Sequence, residues 1–395
     1  MRLNLIQALR AFAAYFVLLY HIRAIEMSSI LATGSHETPL VGGPFTNGWV
    51  GVDLFFAISG FIMVYVTFSR PSGIGTVKEF LLARFFRIYP TWWLFAALIA
   101  TYFLLTRGVP YDAEMIAPTG MSGAEHLIRS ALLLPQPTFP VLGVGWTLVH
   151  EIWFYLIFAI ILLFPRRGMP VWLILWAMLV TGAALLGYSS SFSGNFIQLA
   201  ASPLTLEFLA GAMAGYLFVT GAVRSFGTFA LVFGGLLFLT AAWLHPAPGA
   251  FTLEWGRALI FSLPCALMVY GAAASEGHLT GRLSNILKTL GDWSFSLYLC
   301  HHITLAAIRA GGYVVADQAE VRLQLAPGTL DIFRLGSEGW LDNAFFLTAG
   351  VILPTMIAAI TYYLFERPVM KILNSKFRKQ QPDEKKARLA ESVAP

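Results

Sequence analysis

Arg10 and His21 are two polar side chains within an otherwise apolar run at residues 5–22. They are eleven positions apart, and eleven residues turn an α-helix by about 1100°, which is three full turns plus about 20°. The two side chains therefore lie on one face of the predicted helix, about 16 Å apart along its axis. A guanidinium and an imidazole on one stripe of a membrane helix are costly unless they face a cavity or a ligand. This pair is accordingly the first candidate for a functional site.

The composition is that of an integral membrane protein. Of the 395 residues, 57% are hydrophobic and 12% are charged, whereas soluble domains carry about twice that charged fraction. The net charge of +5 comes from basic residues in particular loops, so it does not indicate a nucleic-acid partner. The two cysteines, Cys265 and Cys300, lie in apolar runs and predict neither a disulfide framework nor a zinc site. The spacing of the histidines predicts no other metal site.

Apolar runs long enough to cross a bilayer predict an all-α membrane bundle of about ten transmembrane helices. Lysine and arginine are concentrated in alternate loops, which predicts that both termini are cytoplasmic. The opposite loops receive few basic residues, Arg257 among them. The predicted spans are residues 5–25, 49–68, 88–106, 145–164, 171–188, 203–220, 226–244, 257–275, 291–311 and 343–365.

Outside the spans, the sequence predicts one domain and one tail. Residues 1–370 form a membrane-embedded domain, and residues 371–395 form a charged cytoplasmic tail that is predicted to be disordered. Residues 127–134 are too short to cross a bilayer and predict an interfacial helix. The outer loop at residues 312–342 fits either a partly ordered lid or a simple connection. A cleaved signal peptide is the alternative for the first span, but Arg10 interrupts its apolar run, so we expect the segment to be retained.

Arg84, Arg87 and Tyr89 lie at the predicted cytoplasmic mouth of the third span. The two arginines are three residues apart, so they share one face of a helix. Two guanidiniums there suit a phosphate-bearing ligand, because arginine binds phosphate in a bidentate way. Anchoring of the helix by the positive-inside rule would account for the same residues. The sequence leaves both interpretations open.

Two carboxylates also fall within predicted spans. Glu151 lies about two turns, or about 9 Å, inside the fourth span, where an ionisable group is expected to face a polar cavity or a partner. A structural bond to a neighbouring tryptophan or arginine is the alternative. Asp53 lies just inside the outer end of the second span, and we favour a structural or supporting role for it.

A polar stripe runs along the ninth predicted span. Ser294, Tyr298 and His301 recur at positions i, i+4 and i+7 of an apolar helix. We expect this stripe to face the interior of the bundle. Contact with a ligand and bonds to other helices are both compatible with it.

At these residues the chain resembles the integral-membrane acyltransferase 3 family, whose members O-acylate carbohydrates and other extracytoplasmic acceptors. The resemblance covers nearly the whole chain, and the pattern at residues 143–151, which includes Trp146, is most similar to that of exopolysaccharide-production acetyltransferases. The matching motifs are Arg10-x10-His21, the Val-Asp-x-Phe-Phe-x-x-Ser-Gly-Phe stretch of residues 52–61, Arg84-x-x-Arg87, Tyr298-Leu-x-His301 and Glu366-Arg367-Pro368.

The resemblance implies a donor and the residues that would bind it. The family uses acyl-CoA, typically acetyl-CoA, from the cytoplasm. Arg84 and Arg87, with Arg10 and Tyr89, would bind the CoA, the arginines through its phosphates, and the pantetheine arm would extend along the first helix towards His21. Three helical turns are about the reach of such an arm.

The resemblance also implies the chemistry. His21 would act as general base on the hydroxyl of a saccharide or lipid-linked saccharide, since the ordinary pKa of histidine, about 6.5, suits that work. Glu151 would orient the imidazole or stabilise its charge. A covalent acetyl-histidine relay is the variant mechanism. The residues expected to contact substrate or to support those that do are Asp53, Trp146, Ser294, Tyr298 and His301.

Two other functions compete with this one. A transporter or flippase of lipid-linked sugars would also have many spans and buried charges, but such proteins often show two similar halves, and the sequence has no such internal symmetry. The same acyl transfer to a different acceptor, such as a macrolide, would use the same residues. The sequence does not identify the acceptor, the acyl group or the oligomeric state.

Overall fold

The computed structural model describes residues 3–189, 194–222, 226–245, 255–277 and 281–379, and within these ranges it contains helices and no β-strand. Nine helical segments of this part of the chain are long and apolar enough to cross a membrane. The remaining predicted span, residues 291–311, lies inside a longer helix whose polar residues set it apart from those nine. The predicted all-α membrane bundle is therefore confirmed, while the side on which the termini lie stays a prediction.

Fourteen α-helices are described, together with a π-helical turn at Tyr362–Glu366. In chain order they are α1 (Asn4–Thr33), α2 (Gly51–Thr67), α3 (Ile74–Arg107), α4 (Ala113–Ile116), α5 (Gly123–Leu132), α6 (Trp146–Ile161), α7 (Met169–Leu185), α8 (Phe196–Ala200), α9 (Thr205–Thr220), α10 (Gly227–Leu244), α11 (Trp255–Ala274), α12 (Gly281–Leu323), α13 (Trp340–Thr361) and α14 (Arg367–Lys379).

Two glycines bring α2 and α9 into close contact. Gly60 lies against the carbonyl of Phe208 and Gly211 lies against that of Ala57, so a Cβ atom at either glycine would overlap the backbone of the other helix. Small residues allow this approach in membranes, where van der Waals packing holds helices together. Phe154 of α6 stacks on Phe208 with ring centroids 4.4 Å apart, which fixes α6 against the same pair.

α1 lies along α12, and this contact positions the candidate site. Near the predicted cytoplasmic end of α12, Gly291 packs against the backbone of Gln7 in α1. Towards the other end, the rings of His21 and His301 meet. The two predicted polar stripes, one on each helix, therefore face each other inside the bundle.

α5 is the predicted interfacial helix, and it is bound to α3 by three aromatic side chains. Tyr89, Trp92 and Trp93 donate hydrogen bonds of 2.9–3.0 Å to its last three carbonyls. Those carbonyls have no partner within the helix itself, so α3 satisfies them.

The predicted outer loop at residues 312–342 is largely ordered, because α12 extends far into it. Beyond the helix, the guanidinium of Arg334 contacts Asp317, Glu320 and Asp331 at 2.6–2.7 Å. The hydrogen bonds from Arg334 lower the pKa of Glu320 to about 2. We call residues 312–342 the outer cap.

The outer cap is attached to the end of α1. The hydroxyl of Thr33 donates to the carbonyl of Gly336 at 2.6 Å, and Tyr313 donates to the carbonyl of Leu335 at 2.5 Å. The sequence predicted either a partly ordered lid or a simple connection for this segment. The structure shows it partly ordered, and its action as a lid stays a prediction.

At the other end of the chain, α14 runs past the boundary at residue 371 that was predicted for the tail. Residues 380–395 of that predicted tail lie outside the described residues, so its predicted disorder stays a prediction.

Candidate functional site

His21 of α1 and His301 of α12 form a histidine pair. His301 Nε2 lies 3.3 Å from His21 Nδ1. Each Nδ1 also faces a backbone carbonyl of its own helix, that of Val17 at 3.0 Å and that of Leu297 at 3.2 Å. A carbonyl only accepts, so this geometry assigns the ring hydrogen to Nδ1 in both residues. In the neutral form of His21, the lone pair that can accept a proton is therefore on Nε2.

Two more rings surround this pair. His302 lies with its ring centroid 5.2 Å from that of His21, and Tyr20 lies 5.0 Å from it. His301 is buried and His21 is half-buried, whereas His302 is exposed. The proton-accepting edge of the site therefore lies among aromatic and imidazole rings. Carboxylates are absent from its described contacts.

A second polar region lies further along α1 and α12, nearer their predicted cytoplasmic ends. It is a cavity of ≈ 100 Å³ enclosed by α1, α2, α3, α6 and α12, and we call it the central cavity. The polar side chains that line it are those of Arg10, Ser59, Arg84, Arg87, Thr147, Glu151, Tyr155, Ser294 and Tyr298.

Arg10 and Arg84 bring positive charge to the central cavity. Arg10 lies within electrostatic range of Glu151 and Glu366. The guanidinium of Arg84 stands 5.9 Å from the ring centres of Phe80 and Tyr155. Its Nε is buried and, among the described residues, has no hydrogen-bond partner. A buried donor without an acceptor is costly, so the cavity has a place for an acceptor such as a phosphate oxygen.

Arg87 lines the same cavity but is already paired. Its guanidinium contacts the buried carboxylate of Glu366, which also accepts a 2.6 Å hydrogen bond from Ser296. It stands 5.4 Å from the ring centre of Phe295. Arg87 therefore holds the end of α13 against α3 and can offer a ligand only its remaining donors.

Glu151 lines the central cavity, but it does not meet His21. The hydroxyls of Ser59, at 2.8 Å, and of Tyr155 both donate to its Oε1. The contacts of His21 are instead the carbonyl of Val17 and the ring of His301. The structure thus offers no contact for the predicted action of Glu151 on the imidazole, and His301 occupies the orienting position.

Tyr298 stands between the two regions. It lines the central cavity, and its ring centroid lies 5.8 Å from that of His301, one turn further along α12. Its hydroxyl is bonded to Thr147 Oγ1 at 2.9 Å and to the carbonyl of Val144 at 3.2 Å. One bonded phenol ring therefore separates the central cavity from the histidine pair.

Ser294 and Tyr89 have structural contacts. The Ser294 hydroxyl lines the cavity and donates to the carbonyl of Gly291 at 2.7 Å, within its own helix. Tyr89 donates to the last carbonyl of α5 and is not part of the cavity lining. Its predicted contact with a cofactor has no support in the geometry.

Asp53 is the acceptor of a buried, bidentate ion pair. Arg257 donates to both of its oxygens at 2.8 Å, and the two side chains are 4% and 0% exposed. The buried Glu207 lies close to both. The supporting role that the sequence predicted for Asp53 agrees with this contact. The sequence counted Arg257, the first residue of the eighth predicted span, among the basic residues of the outer side. Its side chain is instead buried within α11, where Asp53 and the surrounding aromatic rings satisfy its charge.

Trp146 is one of the aromatic rings that surround Arg257. The guanidinium of Arg257 stands 4.5 Å from the ring centre of Trp49 and 5.9 Å from that of Trp146. Cation–π contacts of this kind are stronger where the cation is desolvated. Trp146 therefore links the ion pair to the first turn of α6, next to the residue that bonds Tyr298.

Sequence reasoning missed several residues of this arrangement. Ser59 and Tyr155 bond Glu151, Arg257 and Glu207 accompany Asp53, and Glu366 pairs with Arg87. Glu207 and Arg257 are charged residues in predicted spans, and this signal could have flagged them. A hydroxyl in an apolar span, as at Ser59 and Tyr155, is too common to single out.

These features define a multi-pass membrane protein with an arginine-lined interior cavity and a histidine pair on the same two helices. Residues 3–367 match the family described as acyltransferase domain, and the chain belongs to this acyltransferase 3 family, as its motifs predicted. It is an O-acyltransferase.

Curated relatives match most of this chain. It is 27% identical over 343 residues to the exopolysaccharide production protein ExoZ of Rhizobium meliloti (strain 1021), covering 85% of this chain and 94% of ExoZ. It is 28% identical over 332 residues to the acyltransferase MdmB of Streptomyces mycarofaciens, covering 77% and 79%. A protein of Staphylococcus aureus (strain COL), provisionally named an O-acetyltransferase, is 22% identical over 345 residues, or 80% of this chain and 52% of its own length. No solved structure matches the chain.

Proposed function

We propose that this protein moves an acyl group, acetyl in the first instance, from cytoplasmic acyl-CoA to a hydroxyl of a saccharide or lipid-linked saccharide outside a bacterial inner membrane. The observation that carries the proposal is the arrangement on α1 and α12. An arginine-lined cavity lies near one end of this helix pair and a proton acceptor lies towards the other, with Tyr298 between them. The name of the relative ExoZ supports an exopolysaccharide as the acceptor.

In the central cavity, Arg10 and Arg84 bind the diphosphate of CoA. Guanidiniums suit phosphate because they present paired donors to its oxygens. Glu151, held by Ser59 and Tyr155, balances the two cations when the donor is absent. The pantetheine arm then extends past Tyr298, so that the thioester reaches His21, about 16 Å from Arg10 along the helix.

At the histidine pair, His21 Nε2 takes the proton of the acceptor hydroxyl. The hydroxyl oxygen attacks the thioester carbonyl and forms the new C–O bond. The C–S bond breaks, and the leaving CoA thiolate takes the proton from His21. His301 is a positioning residue, because its Nε2 accepts from His21 Nδ1 and so keeps the opposite nitrogen, Nε2, unprotonated.

The variant mechanism passes through acetyl-His21. Here His21 Nε2 itself attacks the thioester, the C–S bond breaks and CoA leaves as its thiolate. The acceptor hydroxyl then attacks the acetyl group, the bond from the acetyl carbon to Nε2 breaks, and the thiolate takes the hydroxyl proton. Incubation with radiolabelled acetyl-CoA in the absence of acceptor distinguishes the two. Protein quenched in detergent at neutral pH, where acetyl-histidine survives longer than in acid, carries label at His21 in the relay and no label under general-base catalysis.

The function itself is tested in cells and with purified protein. We expect deletion of the gene to remove O-acetyl signals from the NMR spectrum of the surface polysaccharide, and the wild-type gene to restore them. Purified protein in nanodiscs should transfer the radiolabelled acetyl group from acetyl-CoA to the polysaccharide of the deletion strain, which lacks O-acetyl groups. Unchanged acetylation in the deletion strain, together with acetyl-CoA-independent movement of lipid-linked sugar, would favour a flippase instead.

A further inference from the structure

The central cavity is too small to hold a whole CoA molecule. Its volume is ≈ 100 Å³, whereas pockets for ligands of nucleotide size measure about 300–1,000 Å³. If the cavity binds the diphosphate, as proposed above, the adenosine 3′-phosphate end of the donor must bind elsewhere.

A second pocket near the cavity has the required size and polarity. Its volume is ≈ 340 Å³, and it lies between the start of α12 and the π-helical turn that joins α13 to α14. We call it the end pocket. Its lining residues are Asn285, Lys288, Thr289, Asp292, Tyr362, Tyr363 and Arg367. A larger groove of ≈ 470 Å³ beside α1, α10 and α11 is lined by apolar residues and is unsuitable for phosphate.

The end pocket and the central cavity follow each other along α12. Lys288, Asp292 and Phe295 are spaced i, i+4 and i+7, so they form one stripe of α12 that is about 10 Å long. The first two line the end pocket and Phe295 lines the central cavity. On the facing element, Arg367 lines the end pocket while the adjacent Glu366 pairs with Arg87 at the cavity.

The chemistry of the end pocket matches a nucleotide. Lys288 and Arg367 supply two cations for phosphate, and Tyr363 offers an aromatic face for a base. Both tyrosines belong to the π-helical turn, and such turns occur frequently at functional sites.

We infer that the end pocket binds the 3′-phosphoadenosine part of the acyl-CoA donor. Lys288 and Arg367 contact its 3′-phosphate, and the diphosphate continues into the central cavity. This inference rests on the proposed function, since it specifies where that donor binds.

Binding by the full-length protein in phosphatidylcholine nanodiscs tests the inference, with CoA, 3′-dephospho-CoA and phosphopantetheine as probes. We expect wild type to bind CoA most tightly. Lys288→Gln and Arg367→Gln should each weaken CoA binding about tenfold, because each removes one charged contact to phosphate. Their affinity for phosphopantetheine should equal that of wild type, which also shows that the variants are folded. Lys371→Gln, an exposed lysine of α14 outside the pocket, is the matched control and should bind all three probes normally.

The outcomes separate this inference from the proposed function. If wild type binds no CoA, both are wrong. If wild type binds CoA no better than phosphopantetheine, or if the two variants keep the wild-type preference for CoA, only the end-pocket assignment is wrong. Phosphatidylglycerol added to the nanodiscs should not change the preference. Loss of the preference for CoA when phosphatidylglycerol is added would assign the pocket to anionic lipid headgroups and overturn the inference.

Discussion

The central cavity and the histidine pair differ in how their polar groups are balanced. In the cavity, three arginines are balanced by Glu151 and by Glu366, the partner of Arg87, and each of these carboxylates accepts from two donors. At the histidine pair, the described contacts are between neutral rings and backbone carbonyls. One region is therefore suited to exchanging an internal counter-ion for an anionic ligand, and the other to moving a proton without a fixed charge nearby. Mutations should separate binding in the first from chemistry in the second.

The largest effect should come from His21→Ala at the histidine pair. Loss of the proton acceptor should reduce kcat by about 10²–10⁴-fold, the usual contribution of a general base, with CoA binding unchanged. Transfer of radiolabelled acetyl to the deacetylated polysaccharide measures kcat. His36→Ala, an exposed loop histidine, is the control. A correctly inserted His21→Ala protein with wild-type kcat would contradict the role of His21.

The two arginines of the third helix should behave differently from each other. Arg84→Gln should raise the KM for acetyl-CoA about tenfold and leave the stability nearly unchanged, because Arg84 Nε has no described partner in the protein. Arg87→Gln leaves the buried Glu366 without its cation and should lower the stability by about 2–3 kcal/mol, less than for a fully buried pair because Arg87 is partly exposed. Initial-rate kinetics and thermal unfolding in detergent measure the two effects. If neither variant changes the KM for the donor, both arginines serve to anchor the helix.

A smaller effect is expected at His301, the positioning residue. His301→Ala should lower kcat about tenfold without changing either KM, since the ring of His21 loses its acceptor but keeps the Val17 carbonyl. His301→Gln should recover part of the activity, because a side-chain oxygen can accept from His21 Nδ1. Equal activities of the alanine and glutamine variants would show that the ring acts by packing alone.

The smallest effect is expected outside both regions, in the outer cap. The pKa of Glu320 is about 2 in the folded protein against an ordinary value of 4.5, so its ion pair with Arg334 stabilises the cap fully above pH 4.5. That contribution declines as the pH falls from 4.5 towards 2, where the folded carboxylate takes up its proton. Hydrogen exchange of cap amides should therefore accelerate over this range beyond the intrinsic trend. In Glu320→Gln, the exchange of cap amides should already be faster than in wild type at neutral pH. It should also change less than in wild type as the pH falls.

Part of this arrangement could be predicted from the sequence alone. The eleven-residue spacing of Arg10 and His21 predicted one shared helix face, and the stripe of Ser294, Tyr298 and His301 predicted a second. Periodicity assigns a face to each helix but does not assign its partner. The contact between His21 and His301 joins residues 280 positions apart, and nothing local to either one specifies it.

The errors have a related cause. Glu151 was predicted to act on His21 because both are ionisable and buried, but its hydroxyl partners come from α2 and from the next turn of α6. Arg257 was counted among the basic residues of the outer side because it is the first residue of a predicted span. Its burial depends on the bidentate contact with Asp53, in a helix that is 204 residues away along the chain.

The hydroxyl bonds of Tyr298 to Thr147 and Val144 have a consequence for the cell's energy supply. A passage that admits a thioester across a membrane would also conduct protons and dissipate the electrochemical gradient if it stayed open. Under the proposed function, Tyr298 closes this passage when no donor is bound, because its phenol is bonded to α6 and to the turn before it. If the acyl-bearing arm takes the place of this ring during transfer, as the proposed function requires, the passage stays filled and turnover is compatible with an electrically tight membrane.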